Sequence, residues 1–247
     1  MNSYDHNIQA GLKKWQRQML RKPGFINRIT RRMQTKVNSL IPEKIHQLLT
    51  TTIKQMIRAV LFGAELTTPP VLKEATLAHR ETLIEEKIRF YRNTAAAEGG
   101  ITGAGGLLLG LADFPLLIGI KLKLLFEIAA LYGYPVEDYK ERLYILYIFQ
   151  LAFSSHQQRR EVYLKMEHWA DRRHQLPANI HDFDWRTFQQ EYRDYIDLAK
   201  MAQLIPLIGA PVGIVVNYRL IRKLGHTAMM AWRMRWFEEN KTENPKP

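Results

Sequence analysis

Apolar residues recur along this chain at intervals of three and four. Ile8, Leu12, Trp15 and Met19 make one such stripe; Ile26, Ile29, Met33, Val37 and Leu40 make a second. That spacing places side chains on one face of an α-helix. Pro23-Gly24 separates the two helices. Pro42 suits the first turn of a third, which carries Ile45, Leu48, Leu49, Met56, Ile57 and Val60. After the break at Thr67-Thr68-Pro69-Pro70, a long helix runs to about Glu98, where Gly99-Gly100 interrupts it. Residues 101–132 read as a helix, a kink at Asp113-Phe114-Pro115, and a second helix ending at Gly133-Tyr134-Pro135. Helical patterns resume at 136–154 and 157–174. A loop from His174 to Phe183 leads to Asp184, a suitable N-cap for a helix over 185–204. A last helix is expected from about 211 to 239. No window alternates with β-type composition. The prediction is an all-α chain, a single multi-helix bundle with a Gly-rich central helix pair.

Charge divides this pattern into regions. The chain has 247 residues, 36 Lys+Arg against 24 Asp+Glu, and a formal net charge of +12. Residues 1–60 hold 12 of those cations against only Asp5 and Glu43, while residues 61–180 hold 14 of each sign. The expected organisation is therefore a basic amphipathic helical region over 1–64, a helical domain over 65–240 and a disordered tail over 241–247. The absence of cysteine removes disulfides, thiolate metal sites and cysteine nucleophiles.

No apolar stretch near the start reads as a secretion signal. The longest charge-free runs are Met201–Tyr218, Leu143–Gln158 and Gly99–Ala112, of 18, 16 and 14 residues. A spanning helix needs about 20 mostly apolar residues. These runs are read instead as buried core helices or as segments that enter a membrane partway.

The basic front has three readings. Lys13, Lys14, Arg17, Arg21, Arg28, Arg31, Arg32 and Lys36 lie off the apolar stripes, with Trp15 among the apolar positions. A basic amphipathic helix of this kind fits an anionic membrane surface. Arg219, Arg222, Arg233 and Arg235, with Trp232 and Trp236 alongside and no acid between Asp197 and Glu238, extend that reading to the C-terminal helix. A merely solvated face is the second reading. Nucleic-acid binding is the third, disfavoured because no helix-turn-helix signature, zinc ligands or aromatic-basic platform accompanies the charge.

Candidate chemistry is sparse. Gly99, Gly103, Gly106 and Gly110 recur at four, three and four, giving a groove where another helix can approach closely, in a soluble bundle or in a membrane. Gly209, Gly213 and Asn217 form a second stripe; the two are expected to pack together, with Asn217 meeting polar groups near Asp113. GGITGAGG lacks the Lys-Ser/Thr of a P-loop and the preceding strand of a dinucleotide site. Asp113 interrupts an apolar run and reads as a helix cap, or as a carboxylate that Glu98 approaches for acid–base work. His156, in Ser154-Ser155-His156, is a weaker catalytic candidate without a nucleophile-elbow context. No metal-ligand spacing and no cofactor motif is present, and none is assigned.

EGGITGAGG, LADFPLL and ALYGYP, followed far downstream by IPLIGAPVGIVVNY and an Arg-containing terminal helix, resemble the EcsC protein family. The similar part runs from about Glu81 to Arg235, leaving the basic front mostly outside. Gly99, Gly100, Gly103, Asp113, Pro115, Gly133, Gly209, Ala210, Gly213 and Asn217 match signature positions. The resemblance implies a bacterial protein whose family is named after a neighbour of an ABC-type transporter, and it brings no catalytic residues. The resulting expectation is a membrane-associated accessory or interaction protein of the cell envelope. It would sit on the cytoplasmic face of the inner membrane, peripheral or partly embedded. The alternative is a hydrolase of lipid or envelope material using Glu98 and Asp113.

Overall fold

A computed structural model describes residues 3–21, 43–62, 70–104, 114–154, 158–184, 187–188 and 209–242. Among these residues there are eight α-helices and no strand, as the periodicity predicts. They are α1 (Ser3–Leu20), α2 (Glu43–Phe62), α3 (Leu77–Ala104), α4 (Phe114–Tyr132), α5 (Tyr139–Phe153), α6 (Arg159–Met166), α7 (Trp169–Gln175) and α8 (Gly209–Thr242).

The spine is the antiparallel pair of α3 and α8, 28 and 34 residues long, which make the most extensive contact between described elements. Three contacts set their register: Glu81 against Arg233, Ile88 against Gly225, and Arg92 over the ring of Tyr218. Gly225 permits the close approach, since a Cβ there would meet Ile88 Cγ1 at 2.6 Å. The same register carries the turns holding Gly99, Gly100 and Gly103 toward the end of the pair where Gly209 and Gly213 lie.

Helix α4 lies against both, parallel to α8, with Lys121 at Asn217 and Tyr132 at Met229. Helix α5 is the centre of the bundle. Every one of its residues except Lys140 and Tyr147 is buried, as expected of a helix apolar nearly all round. Asp138 caps its N-terminus, its side chain accepting from the Lys140 N–H at 2.9 Å. Gly133, at φ +98, ends α4 in a left-handed conformation that other residues adopt only with strain.

Helix α1 joins the same core. Leu12, Trp15 and Met19 are buried, and Trp15 meets Tyr163 of α6 edge-on with ring centroids 5.7 Å apart. Its apolar stripe is thus spent inside the protein.

The boundaries differ from the pattern in two places. Helix α3 continues through Gly99-Gly100 to Ala104. Glycine costs about 1 kcal/mol in a helix but, unlike proline, imposes no steric block. The helix expected over 157–174 is instead two, broken at His168, whose φ is 55. The turn swings Trp169 into the core against Tyr144 and Tyr147, at 5.1 and 5.9 Å between centroids. Asp184 accepts from the Thr187 N–H at 3.1 Å, in keeping with the expected N-cap. The helix expected over 26–40, the Asp113 kink and most of 185–204 lie outside the described residues.

Candidate functional site

The catalytic candidates do not assemble among the described residues. Glu98 lies on α3 with its side chain outside the described set, and Asp113 and His156 are outside altogether, as are Gly106 and Gly110. Pro115 is the exposed second residue of α4. No group of His, Asp or Glu able to hold a metal occurs among the described residues.

Asn217 does have a polar partner, one that the sequence reading missed. Lys121, fully buried on α4, donates from Nζ to the Leu117 carbonyl at 3.1 Å and reaches Asn217 Oδ1 at 3.4 Å. Burial lowers the Lys121 ammonium from the usual 10.5 to about 7. The signal was present in the pattern: Leu117, Lys121, Leu124 and Ile128 follow at four, three and four, all at 0% exposure. Lys123, two residues on, is exposed.

Two carboxylates are buried at the opposite end of the spine. Glu81 receives Arg233 at 2.5 and 2.7 Å, Tyr4 Oη at 2.7 Å and Tyr132 Oη at 3.0 Å. Burial opposes the Arg233 charge, but the Glu81 carboxylate more than offsets it and raises its pKa. Burial first, and then Glu81, pushes the Tyr132 hydroxyl well up. Glu141 is held by Arg235 and by Arg173, the latter at 2.8 Å. Arg235 also pairs with Glu239 at 2.9 Å and lies over the Tyr134 ring at 4.0 Å. Farther along α3, Glu127 takes Tyr91 Oη at 2.6 Å and Lys87 at 3.0 Å. Each of these carboxylates faces a cation, an arrangement that locks helices together.

These pairings correct the expected membrane contacts. Arg235 and Trp232 are buried, Arg233 is mostly enclosed by Glu81, and Trp236 is half-buried beneath Arg80. Trp15 is buried as well. Trp15, Trp232 and Arg235 leave the surface set, because their rings pack inside or their charge is met there, while Arg233 and Trp236 stay partly exposed. Of the expected membrane contacts, those that do face solvent among the described residues are Lys13, Lys14, Arg17 and Arg21 in and just after α1, and Arg219 and Arg222 on α8. Arg28, Arg31, Arg32 and Lys36 lie outside the described residues. Lys13 and Arg17 border an open cleft of about 510 Å³, with Tyr163 and Glu167 opposite.

The model of the EcsC protein family matches residues 6–237. The match therefore takes in the basic front, which the motifs alone had left mostly outside. Protein EcsC of Bacillus subtilis (strain 168) is 43% identical over 230 residues, covering 93% of this chain and 94% of that protein. The uncharacterized protein YdbA of the same organism is 27% identical over 175 residues, covering 71% of this chain and 64% of that protein. No solved structure matches the chain.

Proposed function

Because this chain belongs to the EcsC protein family, we propose that it is an accessory protein of the bacterial cell envelope, working at the cytoplasmic face of the cell membrane alongside an ABC-type transporter. The transporter link rests on the naming of the family. The membrane reading rests on one observation: α1 commits Leu12, Trp15 and Met19 to the core and turns Lys13, Lys14, Arg17 and Arg21 to solvent.

An α1 so arranged docks by charge and not by inserting its own apolar stripe. Cations near an anionic bilayer contribute about 1 kcal/mol each. Four of them support an affinity gain on the order of a thousandfold, which salt erases beyond a Debye length of about 10 Å. No described helix is long and apolar enough to cross a membrane.

Co-sedimentation with phosphatidylglycerol-containing and pure phosphatidylcholine vesicles at rising salt tests the reading. Anionic vesicles should recover more protein, and Lys13→Gln/Lys14→Gln/Arg17→Gln/Arg21→Gln should lose much of the difference. Equal recovery on both kinds of vesicle refutes it.

A further inference from the structure

We propose that the cleft between α1 and the end of α6 is a headgroup site for an aminophospholipid, in which Lys13 and Arg17 take the phosphate and Glu167 takes the primary ammonium. The inference rests on the membrane reading above, since Lys13 and Arg17 are two of its four docking cations. It adds a preference among lipids that surface charge alone does not give.

The cleft is lined by Lys13, Gln16, Arg17 and Leu20 of α1, Tyr163 of α6 and Glu167 just after it. Its volume of about 510 Å³ falls within the range of about 300–1,000 Å³ found for small-ligand sites. The walls are fixed from behind. The Trp15 ring meets Tyr163 edge-on at 5.7 Å between centroids, which ties α1 to α6. Tyr163 is buried, and its hydroxyl donates to Glu167 at 3.2 Å while Gln16 hydrogen-bonds the same hydroxyl. Helix α6 stops at Glu167, whose N–H donates to the Tyr163 carbonyl, and the left-handed turn at His168 follows at once. The turn that carries Trp169 into the core thus leaves Glu167 in the lining of the cleft.

Charge selects the ligand. Lys13 and Arg17 are exposed one turn apart, and Arg17 Nε donates to the Lys13 carbonyl at 3.3 Å, which draws the guanidinium back along the helix toward Lys13. None of the ion pairs among the described residues includes Lys13, Arg17 or Glu167. A phosphate alone would satisfy the two cations and set a second anion near Glu167. A ligand with a phosphate at one end and a primary ammonium at the other satisfies both walls through charge-assisted hydrogen bonds. A quaternary ammonium has no N–H to donate, so phosphatidylethanolamine is favoured over phosphatidylcholine. The lipid, and not a free phosphoamine, is the source because the cleft shares the basic face of α1 that docks on the bilayer. Leu20, 37% exposed in the lining, adds an apolar contact beside the charged walls.

The test holds surface charge constant. The full chain is titrated with vesicles of equal phosphatidylglycerol content, with or without part of their phosphatidylcholine replaced by phosphatidylethanolamine. The phosphatidylethanolamine vesicles should bind about tenfold tighter, the effect of one charge-assisted hydrogen bond. Glu167→Gln keeps an acceptor for Tyr163 and should keep the melting temperature, yet lose the preference. Arg17→Gln, at an exposed site, should narrow it as well. Lys14→Gln, which does not line the cleft, should weaken binding to both vesicles alike and keep the preference. Equal binding of the wild type to the two kinds of vesicle, or a preference that survives Glu167→Gln, overturns the headgroup site and leaves the membrane reading in place. Saturation of the free protein by soluble phosphoethanolamine, with the two vesicles bound alike, overturns the lipid as its source. Absence of binding to any vesicle overturns both readings.

Discussion

Arg233 and Glu81, 152 residues apart in sequence, meet through two hydrogen bonds of 2.5 and 2.7 Å and tie the C-terminal half of α8 to the first turns of α3. Tyr4 and Tyr132 complete the carboxylate's partners, so α1 and α4 close on the same point. Removing one partner leaves an uncompensated buried charge. Arg233→Ala is expected to destabilise the fold by about 3–5 kcal/mol, read by urea denaturation. A loss below about 1 kcal/mol would mean that the pair is incidental.

Gly225 permits a close approach between the two helices of the spine. Its absent Cβ would fall 2.6 Å from Ile88 Cγ1 and 2.7 Å from its Cδ1. Gly225→Ala should cost about 1–3 kcal/mol by overpacking. The same change in an Ile88→Ala background should cost much less. A double-mutant cycle with no coupling between the two would contradict the geometry.

Lys121 links stability to pH. The buried amine gives up its proton near pH 7, while in the unfolded chain it keeps it to the usual 10.5. Between these values the unfolded state binds more protons, so this group makes stability rise with pH through that window. Lys121→Met should flatten the rise and gain most over the wild type below pH 7. Loss of the Asn217 contact subtracts a roughly pH-independent cost on the order of 1 kcal/mol. Parallel melting temperatures against pH for the two proteins would argue against a charge buried there.

The α1 cations should separate stability from binding. Lys13, Lys14, Arg17 and Arg21 are exposed, and substitutions at such sites change stability by about 0.5 kcal/mol or less. The fourfold Gln variant should therefore melt like the wild type while losing salt-sensitive recovery on anionic vesicles. Trp15→Ala should do the opposite. It removes a buried ring at a cost of about 3–5 kcal/mol and leaves the exposed charge as it was.

Much of the fold was legible locally. Ile8, Leu12, Trp15 and Met19 showed the apolar stripe of α1, although the sequence reading gave Trp15 to a membrane surface and the structure buries it, and Gly133 marked the end of α4. His168 gave no such sign: its left-handed turn exists because Trp169 must reach Tyr144 and Tyr147, which lie on another helix. Lys121 was half legible. Its place in the 117, 121, 124, 128 stripe announced burial, but the partner that holds it, Asn217, comes from a helix 96 residues away. Glu98 and Asp113 remain a pairing suggested by sequence alone, outside the described side chains.

The sequence by itself determined the all-α class, most helix limits, the basic front and the family, because periodicity, breakers and motifs are written in neighbouring residues. It could not tell one arginine from another. Arg219 and Arg222 share a run on α8 with Arg233 and Arg235, yet the first two face solvent and the last two are engaged by Glu81 and Glu141. Tertiary packing alone decided which of these charges are scaffold and which stay in solvent. A cation leaves water where acceptors have been carried to meet it: for Arg233 and Arg235 these are the carboxylates of Glu81 and Glu141, and for Lys121 the Leu117 carbonyl and Asn217.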